Sequence, residues 1–288
     1  MTDLSVPMAD HLTKPTQVDH EISITGKWIP ATPGGIFRKS LDAKGMLQEW
    51  DDIHRDARNS EGVLSTEINH AVGEDAVLVH HVFENQHALV NYFKTTGTAH
   101  MGALLAVAKP QIHLVRGQQI SPEIQQALAH KQVEADFGEY LFGYVKEAYR
   151  RPDPSTAIQV TAKWTCHEES NDALGALRHW WQMVGTDAFE MEPGLLRFEV
   201  FQVLGENALI IHETFTDTDE LKFHLSKGTA EKYKKDIDKI ASPECYFFRG
   251  PVSWTIRTYS KFLRLPATYS SQGSAYTSSG GSKSDGLL

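Results

Sequence analysis

The sequence predicts an α+β fold built from two βαββαβ repeats in one chain, and three observations predict it. Positions i and i+132 agree over a long window, both copies run through the same order of strand and helix periodicities, and several strands carry apolar residues at both parities. From Glu61 to Phe93, nine of 33 pairs are identical: Gly62/Gly194, Leu64/Leu196, Glu67/Glu199, Gly73/Gly205, Glu74/Glu206, Ala76/Ala208, His80/His212, Phe83/Phe215 and Leu89/Leu221. Most remaining strand pairs exchange one aliphatic residue for another. With small shifts, "ISITGKWIP" from Ile22 answers "IQVTAKWTC" from Ile158, and "HLVRG" from His113 answers "YFFRG" from Tyr246.

Each copy opens on a β-rich run, Ile22 to Ile29 or Ile158 to Thr165. A helical stretch follows, "GMLQEWDDIHRDAR" or "ALGALRHWWQMV". Two short strands come next, joined by a tight turn at Gly73-Glu74-Asp75 or Gly205-Glu206-Asn207. The second helix starts near Asn85 or Asp217, whose short side chains can accept from free backbone N–H groups. A last strand ends at Arg116-Gly117 or Arg249-Gly250.

That order is the ferredoxin-like split βαβ unit, a four-stranded antiparallel sheet with both helices on one face. The second face needs cover, since "AVLVHHVF" and "ALIIHETF" are apolar at both parities. Two bare faces in one chain can cover each other as a fused dimeric α/β barrel, gaining about 25 cal/mol per Å² buried. The expected divisions are a flexible arm over 1–20, repeats over 21–118 and 157–264, a connecting helix over 119–156 packed on the outside, and a flexible Ser/Gly-rich tail over 265–288. Such a chain is expected as a monomer with an internal pseudo-dimer, or as a homo-oligomer.

Composition removes several function classes. With 288 residues and 41% hydrophobic content there is enough chain for a sizeable core. A net charge of −9 and the lack of a Lys/Arg stripe argue against nucleic acid. No run of about 18 apolar residues points to a membrane span, and the N-terminus does not read as a secretory signal, so a soluble, cytoplasmic protein is expected. Cys166 and Cys245 are the only cysteines, which argues against a disulfide framework; both are expected as buried thiols. Fourteen histidines form no His-x-x-x-His or Glu-x-x-His cluster on a predicted helix, so no metal site is expected. No phosphate-cradling glycine loop or nucleophile elbow is present.

The stretch "IHETFTDTDELKFHLSKGTAEKY" resembles the second-helix motif of the antibiotic biosynthesis monooxygenase family of dimeric α/β barrels. The matching positions are Glu213 closing the third strand, Phe215 two residues on, and Leu221 and His224 on the helix. The resemblance implies oxidation of a small phenolic, quinone or polyketide-like molecule with no cofactor, in a cleft between sheet and helices. It favours the second copy, because the first has His81 where the Glu belongs and Tyr92 in place of the helix His. Haem-degrading relatives use an Asn on the first strand and a Trp on the second helix, and neither copy offers them; His100 alone stands near their haem-ligand position.

Several residues could carry such chemistry. His80 and His212 survive in both copies, and an imidazole titrating near neutrality could take a phenolic proton. His81 and Glu213 follow them on the strands and therefore face the other way. His224 could act as a base or a donor. Trp28, Trp164, Tyr92, Phe215 and His100 could line the site of a small aromatic molecule. Each has a structural alternative, a side chain satisfied in the sheet or packed in the core, and a non-catalytic binding or sensing barrel is the competing function. Alternation does not decide which of the two strand faces looks into the barrel.

Overall fold

The opening strands form because β-branched and aromatic residues alternate through a short run bounded by turn residues. They are β1 (Ile22–Pro30) and β6 (Ile158–Cys166) in a computed structural model that describes residues 21–31, 42–70, 75–129, 135–146, 156–168 and 171–249. The arm over 1–20, the tail over 265–288, and the first-copy turn at Gly73-Glu74 lie outside the described residues, as do Gly250 and the side chain of Cys245.

After β1 come α1 (Ala43–Glu49) and α2 (Asp51–Arg58), β2 (Val63–His70), β3 (Val77–Phe83), α3 (Gln86–Lys94), α4 (Thr96–Leu105) and β4 (Ala108–Gly117). The second copy holds β6, α6 (Asn171–Met191), β7 (Leu195–Val203), β8 (Ala208–Phe215), α7 (Thr218–Ser226), α8 (Thr229–Ile237) and β9 (Ala241–Arg249). The expected caps are in place: Asn85 accepts from the Ala88 amide, and Asp217 from those of Asp219 and Glu220. The stretch expected as one helix in the first copy is two helices that meet at Trp50, whereas its counterpart α6 runs unbroken for 21 residues. Each second helix is followed by another, α4 or α8, which the periodicity did not separate from it.

Both repeats are ferredoxin-like. The sheet order is β2-β3-β1-β4 in the first and β7-β8-β6-β9 in the second, and every pairing inside a repeat is antiparallel. The registers match as well: Thr25 and Glu67 flank His80 across the ladder, and Thr161 and Glu199 flank His212.

The segment between the copies departs from expectation. It holds a short helix, α5 (Pro122–Ala129), and then a strand, β5 (Asp136–Val145), instead of an external connecting helix alone. β5 pairs parallel with β4 and antiparallel with β7, joining the two four-stranded sheets into one nine-stranded sheet. The aromatic alternation of "DFGEYLFGYV" is a strand signal, but two glycines dilute it. One of them is required by close approach: a Cβ on Gly143 would lie 2.2 Å from the Phe198 carbonyl oxygen. Gly143→Ala is therefore expected to push β5 off β7 and cost about 2 kcal/mol or more. Denaturant unfolding compared with Gly175→Ala, at an open helical position, checks it.

Among the described residues, three apolar clusters divide the interior. One packs the helices of the first repeat on their sheet and a second does the same in the second repeat. The third joins Ala76, Leu78 and Leu114 to Phe201, Val203, Ala208 and Ile210, so the two bare faces meet. All eight residues of β8 are buried, as a strand covered on both sides requires. Lys163, set between Asp136 at 2.9 Å and Glu206 at 2.7 Å, ties β5 and the β7–β8 turn to β6.

Candidate functional site

Strand alternation sends His80 and His212 into the space between the sheets and turns His81 and Glu213 toward the helices, which settles the choice that the sequence left open. A cavity of about 230 Å³ lies between the sheets. The matched histidines line it together with Arg116 from β4, Tyr140 from β5 and Phe201 from β7. Each histidine is held the same way: Thr25 Oγ1 stands 2.8 Å from His80 Nδ1, and Thr161 Oγ1 stands 2.9 Å from His212 Nδ1. A threonine hydroxyl can accept from an Nδ1–H or donate to a bare Nδ1, so the contact orients the ring in either tautomer.

The charges on this wall are arranged unequally. Arg197 Nε donates to Glu199 Oε2 at 2.7 Å, an ion pair with little exposure on either side. Burial raises the pKa of Glu21; Arg197 opposes that rise and Glu199 adds to it. Arg116 is buried, 5.8 Å over the Phe201 ring and within 3.5 Å of the Thr25 hydroxyl.

The cleft between helices and sheet, where the resemblance would put the chemistry, differs in the two repeats. In the second it is filled. His224 is 1% exposed, its Nδ1 is 2.6 Å from Glu192 Oε2, and its Nε2 is 3.2 Å from Glu213 Oε1. The first contact is an aligned hydrogen bond; the second is an ionic approach without that alignment. Glu192 also accepts from the Thr229 amide and hydroxyl. Burial alone would lower the imidazole, but Glu213 and Glu192 outweigh it and raise it to about 10. Burial pushes Glu192 up, and His224 and Thr229 more than reverse this, so it ends below the usual carboxylate range. Phe215 packs on the His224 ring, and Trp164 meets Trp181 edge-on.

In the first repeat the cleft is a narrow apolar slot of about 30 Å³, with His81, Tyr92 and His100 on its wall. The Tyr92 hydroxyl is 2.8 Å from His100 Nδ1, and His100 Nε2 is 3.7 Å from Asp56. His81 Nδ1 is 2.7 Å from the Thr66 hydroxyl. Burial, with Asp56 adding to it, raises the Tyr92 phenol, and burial lowers His100 against the opposing pull of Asp56. Trp28 is buried edge-on to Trp50. A volume of this size holds about two waters. A haem does not fit these residues: the slot lacks the room, and both nitrogens of His100 already face protein groups. Among the described residues no group of three His, Cys, Asp or Glu is placed to hold a metal.

The site predicted from sequence is thus split. His80 and His212 share the large cavity, His81, Tyr92, His100 and Trp28 surround the slot, and His224, Glu213, Phe215 and Trp164 belong to the filled interior of the second repeat. Sequence reasoning missed Arg116, Tyr140 and Glu192 as site residues. Arg116 did carry a signal in the repeated Arg-Gly that closes both copies. Tyr140 lies in the unforeseen strand, and Glu192 lies just outside the aligned window.

No protein-family model matches the sequence, and no curated protein matches it significantly. Solved structures do match. A "putative monooxygenase" from Fusobacterium nucleatum superposes with a TM-score of 0.51 at 10% identity, covering 81% of this chain and 95% of that one. A "putative monooxygenase" from Lactobacillus acidophilus gives 0.49 at 12% identity, covering 78% and 91%, and an anthrone oxidase-like protein gives 0.48 at 11%, covering 82% and 95%. At such identities the likeness concerns fold, and the Fusobacterium superposition carries it: this chain has the dimeric α/β barrel fold with both halves in one polypeptide. No helix among the described residues is long and apolar enough to cross a membrane.

Proposed function

We propose that the chain is a cofactor-independent monooxygenase for a small phenol or enol, and that the reaction takes place in the cavity between the two sheets. The observation that carries this reading is the convergence of the matched pair, His80 and His212, on one cavity large enough for an aromatic ring. A 150 Å³ apolar cavity accommodates benzene, so about 230 Å³ leaves room for ring substituents.

One imidazole takes the hydroxyl proton, and the threonine at its Nδ1 holds the ring in place. The guanidinium of Arg116, on the cavity wall, stabilises the resulting anion. The electron-rich anion reduces dioxygen. For a substrate with an activated CH₂ group, two C–H bonds and the O–O bond break, a C=O bond forms, one oxygen atom stays in the product, and the other leaves as water. The substrate supplies all four electrons.

Oxygen uptake by the purified, metal-free protein with an anthrone-type or hydroquinone substrate tests the reading. Uptake is expected. Tight binding with no uptake would replace it with the second reading, a binding or sensing barrel. The locked state of His224, the residue the family resemblance singled out, favours that second reading.

A further inference from the structure

We infer that Tyr92 and His100 form a redox-active pair in the first repeat: a one-electron oxidant draws an electron from the Tyr92 phenol while its proton passes to His100 Nδ1, leaving a neutral phenoxyl radical in the protein interior. The inference is independent of the reaction proposed for the cavity between the sheets. Tyr92 stands on α3 and His100 on α4, and both are buried. The phenol oxygen is 2.8 Å from Nδ1, and Nε2 faces the Asp56 carboxylate at 3.7 Å. A carboxylate only accepts, and a bare Nε2 would set its lone pair against that charge. In the neutral ring the proton therefore sits on Nε2, and the phenol donates to Nδ1.

Burial holds both groups neutral, raising the phenol and lowering the imidazole, so simple ionisation of Tyr92 is suppressed. Loss of an electron reverses this. The oxidised phenol is a strong acid, and a base already in contact takes its proton as the electron leaves. The imidazolium so formed rests against Asp56, whose exposed side chain balances the charge at the surface. Around the Tyr92 ring, Phe83, Phe93 and His81 stand with centroids 5.3 to 5.9 Å away, which shields a radical from solvent. Two other buried phenols among the described residues lack such a base. The Tyr144 hydroxyl meets no hydrogen-bond partner there, and Tyr233 donates to Asp187, whose carboxylate is a weaker base than imidazole and already pairs with Lys232. With an oxidant of the peroxyl class the step balances: the peroxyl radical gains the electron and a solvent proton to become a hydroperoxide, Tyr92 becomes the phenoxyl radical, and His100 becomes imidazolium.

The test oxidises the full chain with photogenerated tris(bipyridine)ruthenium(III) at neutral pH and follows the radical by transient absorption and electron paramagnetic resonance. A long-lived tyrosyl signal is expected that Tyr92→Phe, which keeps the ring and loses only the hydroxyl, removes. His100→Phe should slow its formation about 10²-fold, the smaller end of the range for a positioned proton acceptor. Asp56→Asn should slow it by less, and so should heavy water in the wild type. A signal of the same size and lifetime in Tyr92→Phe, or an unchanged rate in His100→Phe, would overturn the inference. Should His100→Phe not fold, the solvent comparison takes its place, and equal wild-type rates in light and heavy water would overturn the inference.

Discussion

His224→Ala is expected to destabilise the protein by about 3–5 kcal/mol, because it leaves Glu192 and Glu213 buried beside each other with no cation between them. The effect should appear as a large drop in denaturant midpoint, along with loosening of α7 and α8, which Glu192 ties to the end of α6 through Thr229. The pH dependence gives a second signature. The folded pKa of His224 lies above its unfolded value near 6.5, so its contribution is complete below about 6.5 and fades as pH rises through about 10. Across that window wild-type stability should fall by up to about 1.4 kcal/mol per pH unit, and the His224→Ala protein should lose this slope. Glu192 has the opposite sense: its folded pKa is depressed, so its contribution is present above the unfolded carboxylate value and is lost on acidification. A wild-type stability that stays flat from neutral pH to 10 would contradict the charged assignment of His224.

The second large effect is catalytic. Replacing both His80 and His212 by alanine is expected to lower kcat about 10²- to 10⁴-fold on an active substrate, the range for loss of a general base. Because each ring lines a cavity, where water can take the space it leaves, the paired substitution should cost less stability than His224→Ala. The two single substitutions separate the roles. Whichever histidine takes the proton should, when removed, abolish one limb of the pH–rate profile, whereas a merely structural histidine would leave that limb in place. Substitution of His100 or His81, which surround the slot of the first repeat, should leave the profile unchanged.

The duplication made most of the fold legible. Nine identities at one offset placed two copies of the same unit, and apolar residues at both parities of β3 and β8 required that both faces be covered. The capping residues Asn85 and Asp217 located the second helices because their mechanism is local. β5 was not legible in the same way. It has no counterpart in the aligned window, and its pairing with β4 and β7 is a long-range choice that a ten-residue run with two glycines does not announce.

The site was half legible for a related reason. Repetition pointed to His80 and His212, and the parity of a strand told that His81 and Glu213 face away from them, but only packing decides which face is the inside of the barrel. His224 read as a reactive group because it stands at the helix position of the family motif that the sequence resembles. Its partner Glu192 stands just past the end of α6, 32 residues away, and no local pattern links them.

A crystal structure of the full chain soaked with 4-hydroxybenzoate tests the account most directly. The expected result is density for the ring between the two sheets, in contact with Arg116 and at least one of His80 and His212. Density in the helix–sheet cleft of either repeat, with the cavity between the sheets left as it is, would contradict it.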